Sequence, residues 1–213
     1  MHRLESDRED MVTLLKERGI TDSALLNAMQ AVERHLFVPE PFTRRAYEDS
    51  ALPIGRGQTI SQPYTVAFMT QALEVKAGQK VLEVGTGSGY QAAILAELGA
   101  RVFSIERDLD LLAGARKLFD RLGYNIASKG GDGTVGWNEF APFDCIIVTA
   151  GAPDVPQPLL YQLVEGGRLV IPVGDLEYQR LVVCVRRGNK FDRREADGFK
   201  FVPLIGKMGW KAI

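Results

Sequence analysis

At 213 residues the chain can close around one substantial core, as a single large domain or a domain with an extension. With 46% hydrophobic and 25% charged residues its composition is that of an ordinary globular protein, and a formal net charge of −1 with a pI near 6.2 leaves no electrostatic footprint for nucleic acid or an acidic membrane surface. Cys145 and Cys184 lie in apolar runs and read as small core residues, and two histidines, His2 and His35, make no cluster at metal-ligand spacing.

The opening "MHRLESDRED" is too charged for a signal peptide and no apolar run approaches the ~20 residues of a membrane span, so the expected location is the cytoplasm. Ser6 and Glu9 have capping-box spacing ahead of a first helix that should stop at Gly19. Thr21 is expected to cap a second helix, with Leu25, Ala28, Met29 and Val32 on one face. A loop-rich stretch from Pro39 to Gln62 leads to a third helix running to about Val75, with Ser61 at its cap and Pro63 in its first turn.

Beyond Gly78 strands and helices alternate. Strands are predicted at 80–85, 101–106, near 125–128, at 143–151 and at 168–174, and helices at 90–99, 109–123 and 158–167. The last two apolar runs, 180–187 and 199–206, read as a strand pair with no helix between them. Such alternation implies an α/β fold with a doubly wound, mostly parallel sheet of seven strands. The boundary falls near residue 76, with helices and a covering loop in 1–76 and the sheet in 77–213.

"LEVGTGSGY" places Gly85, Gly87 and Gly89 in the turn between a strand and a helix, where backbone can approach a ligand and free N–H groups face it. A dinucleotide fingerprint needs glycine at position 90, and the residue there is Tyr90. G-x-G-x-G after an acid, here Glu83, is the pattern of S-adenosylmethionine-dependent methyltransferases. Glu106 ends the second strand of the sheet, 21 residues after Gly85, where a carboxylate can accept both hydroxyls of a ribose, whether of that cofactor or of a nicotinamide dinucleotide. Asp132 and Gly133, in "GGDGT" after the third strand, can meet an adenine or simply form a turn.

"TAGAPDVP" after the fourth strand lacks the Asn/Asp-Pro-Pro-aromatic motif used in N-methylation, and the sheet region holds no histidine base. That points to an acceptor needing no deprotonation, such as a carboxylate with a pKa of about 3.9–4.3.

The segments "FVPEPFTRRAYEDSALPIGRGQTISQP" (37–63), "VLEVGTGSGY" (81–90), "GDG" (131–133), "FDCIIVTA" (143–150), "GGRLVIPVG" (166–174) and "FVPL" (201–204) together resemble the protein-L-isoaspartate O-methyltransferase family, in order and over about Arg34 to Leu204. The resemblance implies a Rossmann-like fold with S-adenosyl-L-methionine as cofactor. It implies methylation of the free α-carboxylate of L-isoaspartyl residues in damaged peptides and proteins, starting their repair through a succinimide. Carried onto this chain, Thr59, Ile60 and Ser61 form the wall between cofactor and substrate, with Ser61 beside the reacting carboxylate. Glu83 and the loop Gly85, Thr86, Gly87, Ser88 and Gly89 take the methionine end and ribose. Glu106 and Arg107 lie at the ribose, Asp132 and Gly133 at the adenine, and Val202, Pro203 and Leu204, with Ile60 and Ser61, line the peptide site. A histidine that some members carry after the serine-proline pair is replaced here by Tyr64, Thr65 and Val66. A monomer without nucleic-acid or membrane partners is expected. Rival readings are a methyltransferase for another small carboxylate or RNA, a non-catalytic cofactor-binding protein, and a nicotinamide oxidoreductase.

Overall fold

The computed structural model describes residues 2–211. Helices α1 (His2–Glu17) and α2 (Ser23–Ala31) pack together, and a small hairpin, β1 (Leu52–Gly55) and β2 (Gln58–Ile60), precedes α3 (Pro63–Leu73). Met11, Leu15, Leu25 and Met29 are buried in one cluster with Leu52, Val66 and Ile94, so the N-terminal helices share their core with the rest of the chain. Leu4 also packs on that cluster, and α1 accordingly starts at His2, which puts Ser6 and Glu9 inside the helix rather than at a capping box. At α2 the cap is Asp22, not Thr21: Asp22 accepts from Ala24 N and Leu25 N, while Thr21 N donates to Gln71 Oε1 at 2.7 Å.

The main sheet holds β3 (Lys80–Val84), β4 (Arg101–Glu106), β5 (Ala127–Gly130), β6 (Phe143–Val148), β7 (Leu163–Gly174), β8 (Gln179–Arg187) and β9 (Lys190–Phe199), in the order β5-β4-β3-β6-β7-β8-β9. The first five strands are parallel, and β7-β8-β9 is an antiparallel meander. Helices α4 (Tyr90–Glu97) and α5 (Leu109–Leu122) follow β3 and β4, and α6 (Gln157–Tyr161) precedes β7. Alternate residues face opposite layers: Val81, Cys145, Ile147 and Val170 pack with Met69, Leu73 and Phe119, and Leu82, Val84, Ile146 and Val148 with Leu159 and Leu160. Burial on both faces is why β3 and β6 read as unbroken apolar runs. The chain runs outward from β3 through β4 to β5 and then crosses back to β6 on the other side of β3, and this reversal opens a crevice at the carboxyl ends of these strands.

Two expectations in this half are corrected. The predicted helix 158–167 ends at Tyr161, because Leu163 already pairs with Phe143 of β6 and Gly166, at φ +73°, lies within the long strand β7. The partner of β8 is β9, Lys190–Phe199, rather than 199–206. Its alternating charges suit an exposed sheet edge that must not pair further. The apolar 199–206 run instead docks on the end of β6, with Gly151 N donating to Val202 O and Leu204 N to Gly151 O, each at 2.8 Å.

Candidate active site

A cavity of about 310 Å³ fills the crevice beyond β3 and β4, roofed by the β1–β2 hairpin and walled by Val202–Ile205. Its floor is the first part of the glycine turn, Gly85 and Gly87, while Gly89 lines neither this cavity nor the one beside it. Gly85 has φ +101° and a Cβ there would overlap Thr149 Oγ1; Gly89 has φ +90° and a Cβ would sit 2.5 Å from Phe119 Cε1. Both positions demand glycine twice over, for backbone conformation and for close approach. Gly87 N donates to Glu106 Oε2 and Asp108 N to Glu106 Oε1, each at 2.9 Å, so this one carboxylate ties the turn after β3 to the turn after β4. Asp108 then caps α5 by accepting from Asp110 N and Leu111 N. Arg56, at the hairpin tip with φ +55°, reaches across the cavity mouth to Asp108 at 3.0 Å and Asp110 at 3.3 Å.

A second cavity of about 50 Å³ abuts the first, sharing Thr59, Gly85, Gly87 and Thr149 and adding Ile60, Ser61, Thr86, Ser88, Tyr90 and Gln91. The structure thus brings Thr59, Ile60, Ser61, Gly85, Thr86, Gly87, Ser88, Glu106, Arg107, Gly133, Val202, Pro203 and Leu204 to the linings of the two spaces.

Two acidic residues singled out from the sequence are placed otherwise. Glu83 is 0% exposed and lines neither cavity. It lies in β3, accepting from Ser104 Oγ, which in turn meets Thr86 Oγ1 at 2.5 Å. Burial pushes its pKa up to about 8, opposed by the Ser104 hydrogen bond and reinforced by the charge of Glu106. Asp132 is turned toward the C-terminal segment: Oδ1 accepts from Thr134 N and Oγ1, and Oδ2 from Lys207 N at 2.7 Å. Burial would raise its pKa, but these hydrogen bonds outweigh burial and hold it below the usual carboxylate range. The neighbours of Asp132, Gly131 and Gly133, line the cavity with their backbone.

Ser61 is not the helix cap. Gln62 takes that position, no side chain caps from it, and Pro63 is the first helical residue. The Tyr64 amide is met instead by Asp49 Oδ1, 15 residues away, at 2.8 Å. The Ser61 carbonyl accepts from Arg34 Nη2 at 2.8 Å, and its half-buried side chain lines the small cavity. Arg34, Asp49, Arg56 and Thr149 went unread in the sequence. Only Arg56, between two glycines, carried a local signal.

The larger space fits an adenosyl group that bears a positive rather than a negative centre. Val84, Ile105, Leu204 and Ile205 offer apolar walls and Glu106 an acceptor, while Arg56, one of its two basic lining residues, is engaged by Asp108 and Asp110. No phosphate-gathering cluster is present among the described lining residues. Among the described residues no group of three or more His, Cys, Asp or Glu is set to hold a metal ion.

Residues 6–209 match the family model "Protein-L-isoaspartate(D-aspartate) O-methyltransferase (PCMT)". The chain belongs to this family. It is 55% identical to the protein-L-isoaspartate O-methyltransferase of Chlorobaculum tepidum over 206 residues, covering 96% of each chain. It is 51% identical to that of Dictyoglomus thermophilum over 208 residues, covering 97% of this chain and 94% of the relative. Among solved structures, a protein-L-isoaspartate O-methyltransferase superposes with a TM-score of 0.86 at 29% identity, over 95% of this chain and 67% of the other. A Plasmodium falciparum protein described as a putative protein-L-isoaspartate O-methyltransferase, in complex with S-adenosyl-L-homocysteine, gives a TM-score of 0.81 at 27% identity, over 93% of this chain and 98% of the other. The family assignment sets aside the oxidoreductase reading.

Proposed function

We infer that this chain is a protein-L-isoaspartate O-methyltransferase. It transfers a methyl group from S-adenosyl-L-methionine to the free α-carboxylate of L-isoaspartyl residues and so opens their return to aspartate through a succinimide. The observation that carries this reading, within a family match spanning 6–209, is a nucleoside-sized cavity abutting a smaller one, with Thr59, Gly85, Gly87 and Thr149 lining both and Ile60 and Ser61 on the smaller side.

The cofactor, when bound, supplies a methyl group on a cationic sulfur. An isoaspartyl carboxylate is ionised at neutral pH and needs no base, so the protein's work is alignment and exclusion of water. Ser61 donates its hydroxyl to one carboxylate oxygen; Ile60, buried beside it, keeps the space dry. Glu106 accepts from the ribose hydroxyls while it holds Gly87 and Asp108 in place. The turn Gly131–Gly133, braced by Asp132, supports the adenine. Val202, Pro203 and Leu204 receive the peptide through its backbone, as suits an enzyme whose damaged sites occur in many sequences. In this reading residues 1–76 cover the sheet domain 77–213 and complete its sites with Thr59, Ile60 and Ser61, and the protein acts as a cytoplasmic monomer on peptides and proteins, without nucleic-acid or membrane partners. No helix among the described residues is long and apolar enough to cross a membrane.

The test is transfer of radiolabelled methyl from S-adenosyl-L-methionine to a synthetic isoaspartyl peptide beside its aspartyl twin. Label on the isoaspartyl peptide alone is expected; label on neither, or equally on both, overturns the assignment.

A further inference from the structure

Arg34 lies in a short helical turn, Arg34–Phe37, and is 0% exposed. It makes no ion pair among the described residues. Its guanidinium instead spans two backbone carbonyls, Nε donating to Ala46 O at 2.7 Å and Nη2 to Ser61 O at 2.8 Å, with Cζ 4.8 Å from the centre of the Tyr90 ring. Nη1 has no partner among the described residues. A buried cation with no carboxylate in contact is costly, Asp49 acting on it only at a distance, and an aliphatic side chain would fill the same space without that cost. The fork therefore has a task other than filling the core.

A second group meets the same stretch at its other end. Asp49 Oδ1 accepts from Tyr64 N at 2.8 Å, its Oδ2 pairs with Arg18 in the turn after α1, and Arg18 Cζ stands 3.5 Å above the Tyr64 ring. Ser61 to Tyr64 is thus held at its first carbonyl and its last amide, with the fixed φ of Pro63 between. Both holds come from the N-terminal part of the chain, and what they fix is the only segment joining β2 to α3.

We propose that Arg34 and Asp49 are positioning residues for methyl transfer, a two-point anchor that holds the Ser61 side chain in the smaller cavity against the glycine turn. This rests on the reading of Ser61 as the group that orients the acceptor carboxylate. The stretch between α2 and the hairpin then serves the chemistry as well as the core. A displacement of about 1 Å at such a residue can cost on the order of 100-fold in rate. Lysine at position 34 keeps the charge but has no planar fork to bridge two carbonyls.

The experiment measures kcat and KM for an isoaspartyl peptide, Kd for S-adenosyl-L-homocysteine by calorimetry and the thermal midpoint, in the parent, Arg34→Lys, Asp49→Ala and Ser61→Ala. For Arg34→Lys we expect kcat to fall by about 10- to 100-fold. For Asp49→Ala, removing one of the two holds, a fall of about 3- to 10-fold is expected. In both, Kd for the cofactor product stays within about twofold, since neither residue lines the larger cavity. A purely structural role would move Kd and kcat together, and that result overturns the proposal. So does a folded Arg34→Lys with kcat within about twofold of the parent. Should Arg34→Lys not fold, Asp49→Ala decides alone, its partly exposed side chain making it the milder change; an unchanged kcat there sinks the anchor. Ser61→Ala separates the two readings. Full activity in that variant removes Ser61 from the chemistry and the anchor with it, whereas an inactive Ser61→Ala beside an active Arg34→Lys removes the anchor only.

Discussion

Gly87 N donates to Glu106 Oε2 at 2.9 Å, so the glycine turn after β3 is held by the carboxylate at the end of β4. The same carboxylate takes Asp108 N, and its side chain is only slightly exposed. Glu106 organises the larger cavity before anything enters it. Glu106→Ala removes the acceptor for both amides and for a ribose, and should weaken S-adenosyl-L-homocysteine binding by about 1.5–3 kcal/mol, the worth of hydrogen bonds to a charged group. Calorimetry that finds Kd within threefold of the parent, a change of about 0.65 kcal/mol, would show the carboxylate to be dispensable.

Glu83 makes stability depend on pH in a stated direction. Its pKa rises from 4.5 to about 8 on folding, chiefly by burial. Between those values the folded chain holds a proton that the unfolded chain has released, so this group's contribution falls as pH rises from 4.5 to about 8 and is level above. Glu83→Gln cannot ionise, and its thermal midpoint should gain on the parent's steadily across that window. A difference between the two that does not change with pH would contradict the assignment.

Gly133 is constrained by space rather than by backbone angle: a Cβ there would overlap Val84 Cγ1, which lines the larger cavity. Gly133→Ala should cost about 1–3 kcal/mol of stability by overpacking and loosen S-adenosyl-L-homocysteine as Val84 shifts. Gly114, within α5 and with nothing near a built Cβ, is the contrast. Gly114→Ala should gain about 0.4–1 kcal/mol and leave binding alone. Chemical denaturation and calorimetry on both variants give the answer; equal binding in the two would refute the steric argument.

With no histidine in the linings of either cavity, kcat/KM should be nearly level from about pH 6 to 7.5. His35 meets Tyr47 OH through Nδ1 at 2.8 Å, and burial lowers its pKa. A sigmoidal rise with a midpoint near 6.5, the unperturbed histidine value, would reveal a base outside this account. A change near pH 8 that vanishes in Glu83→Gln would instead report Glu83 ionising in β3, linked to Thr86 by two hydrogen bonds through Ser104.

The alternation of strand and helix, the glycine turn after β3 and the acid at the end of β4 were all legible in the chain, because each is a local matter. Apolar periodicity selects the element, and a tight turn against a packed helix admits only glycine at Gly85 and Gly89. The β8–β9 pairing was not legible, since Lys190–Phe199 is a strand by virtue of its neighbour and not of its own charged sequence. Nor was the role of Ser61. Its position before Pro63 has every mark of a cap, yet Asp49 supplies the acceptor from a loop 12 residues earlier in the chain, and the Ser61 carbonyl goes to Arg34. Glu83 and Asp132 differ from their sequence reading for the same reason. Which way a carboxylate faces depends on the partners brought to it, Ser104 in one case and Lys207 in the other, and those partners are adjacent only once the chain has folded.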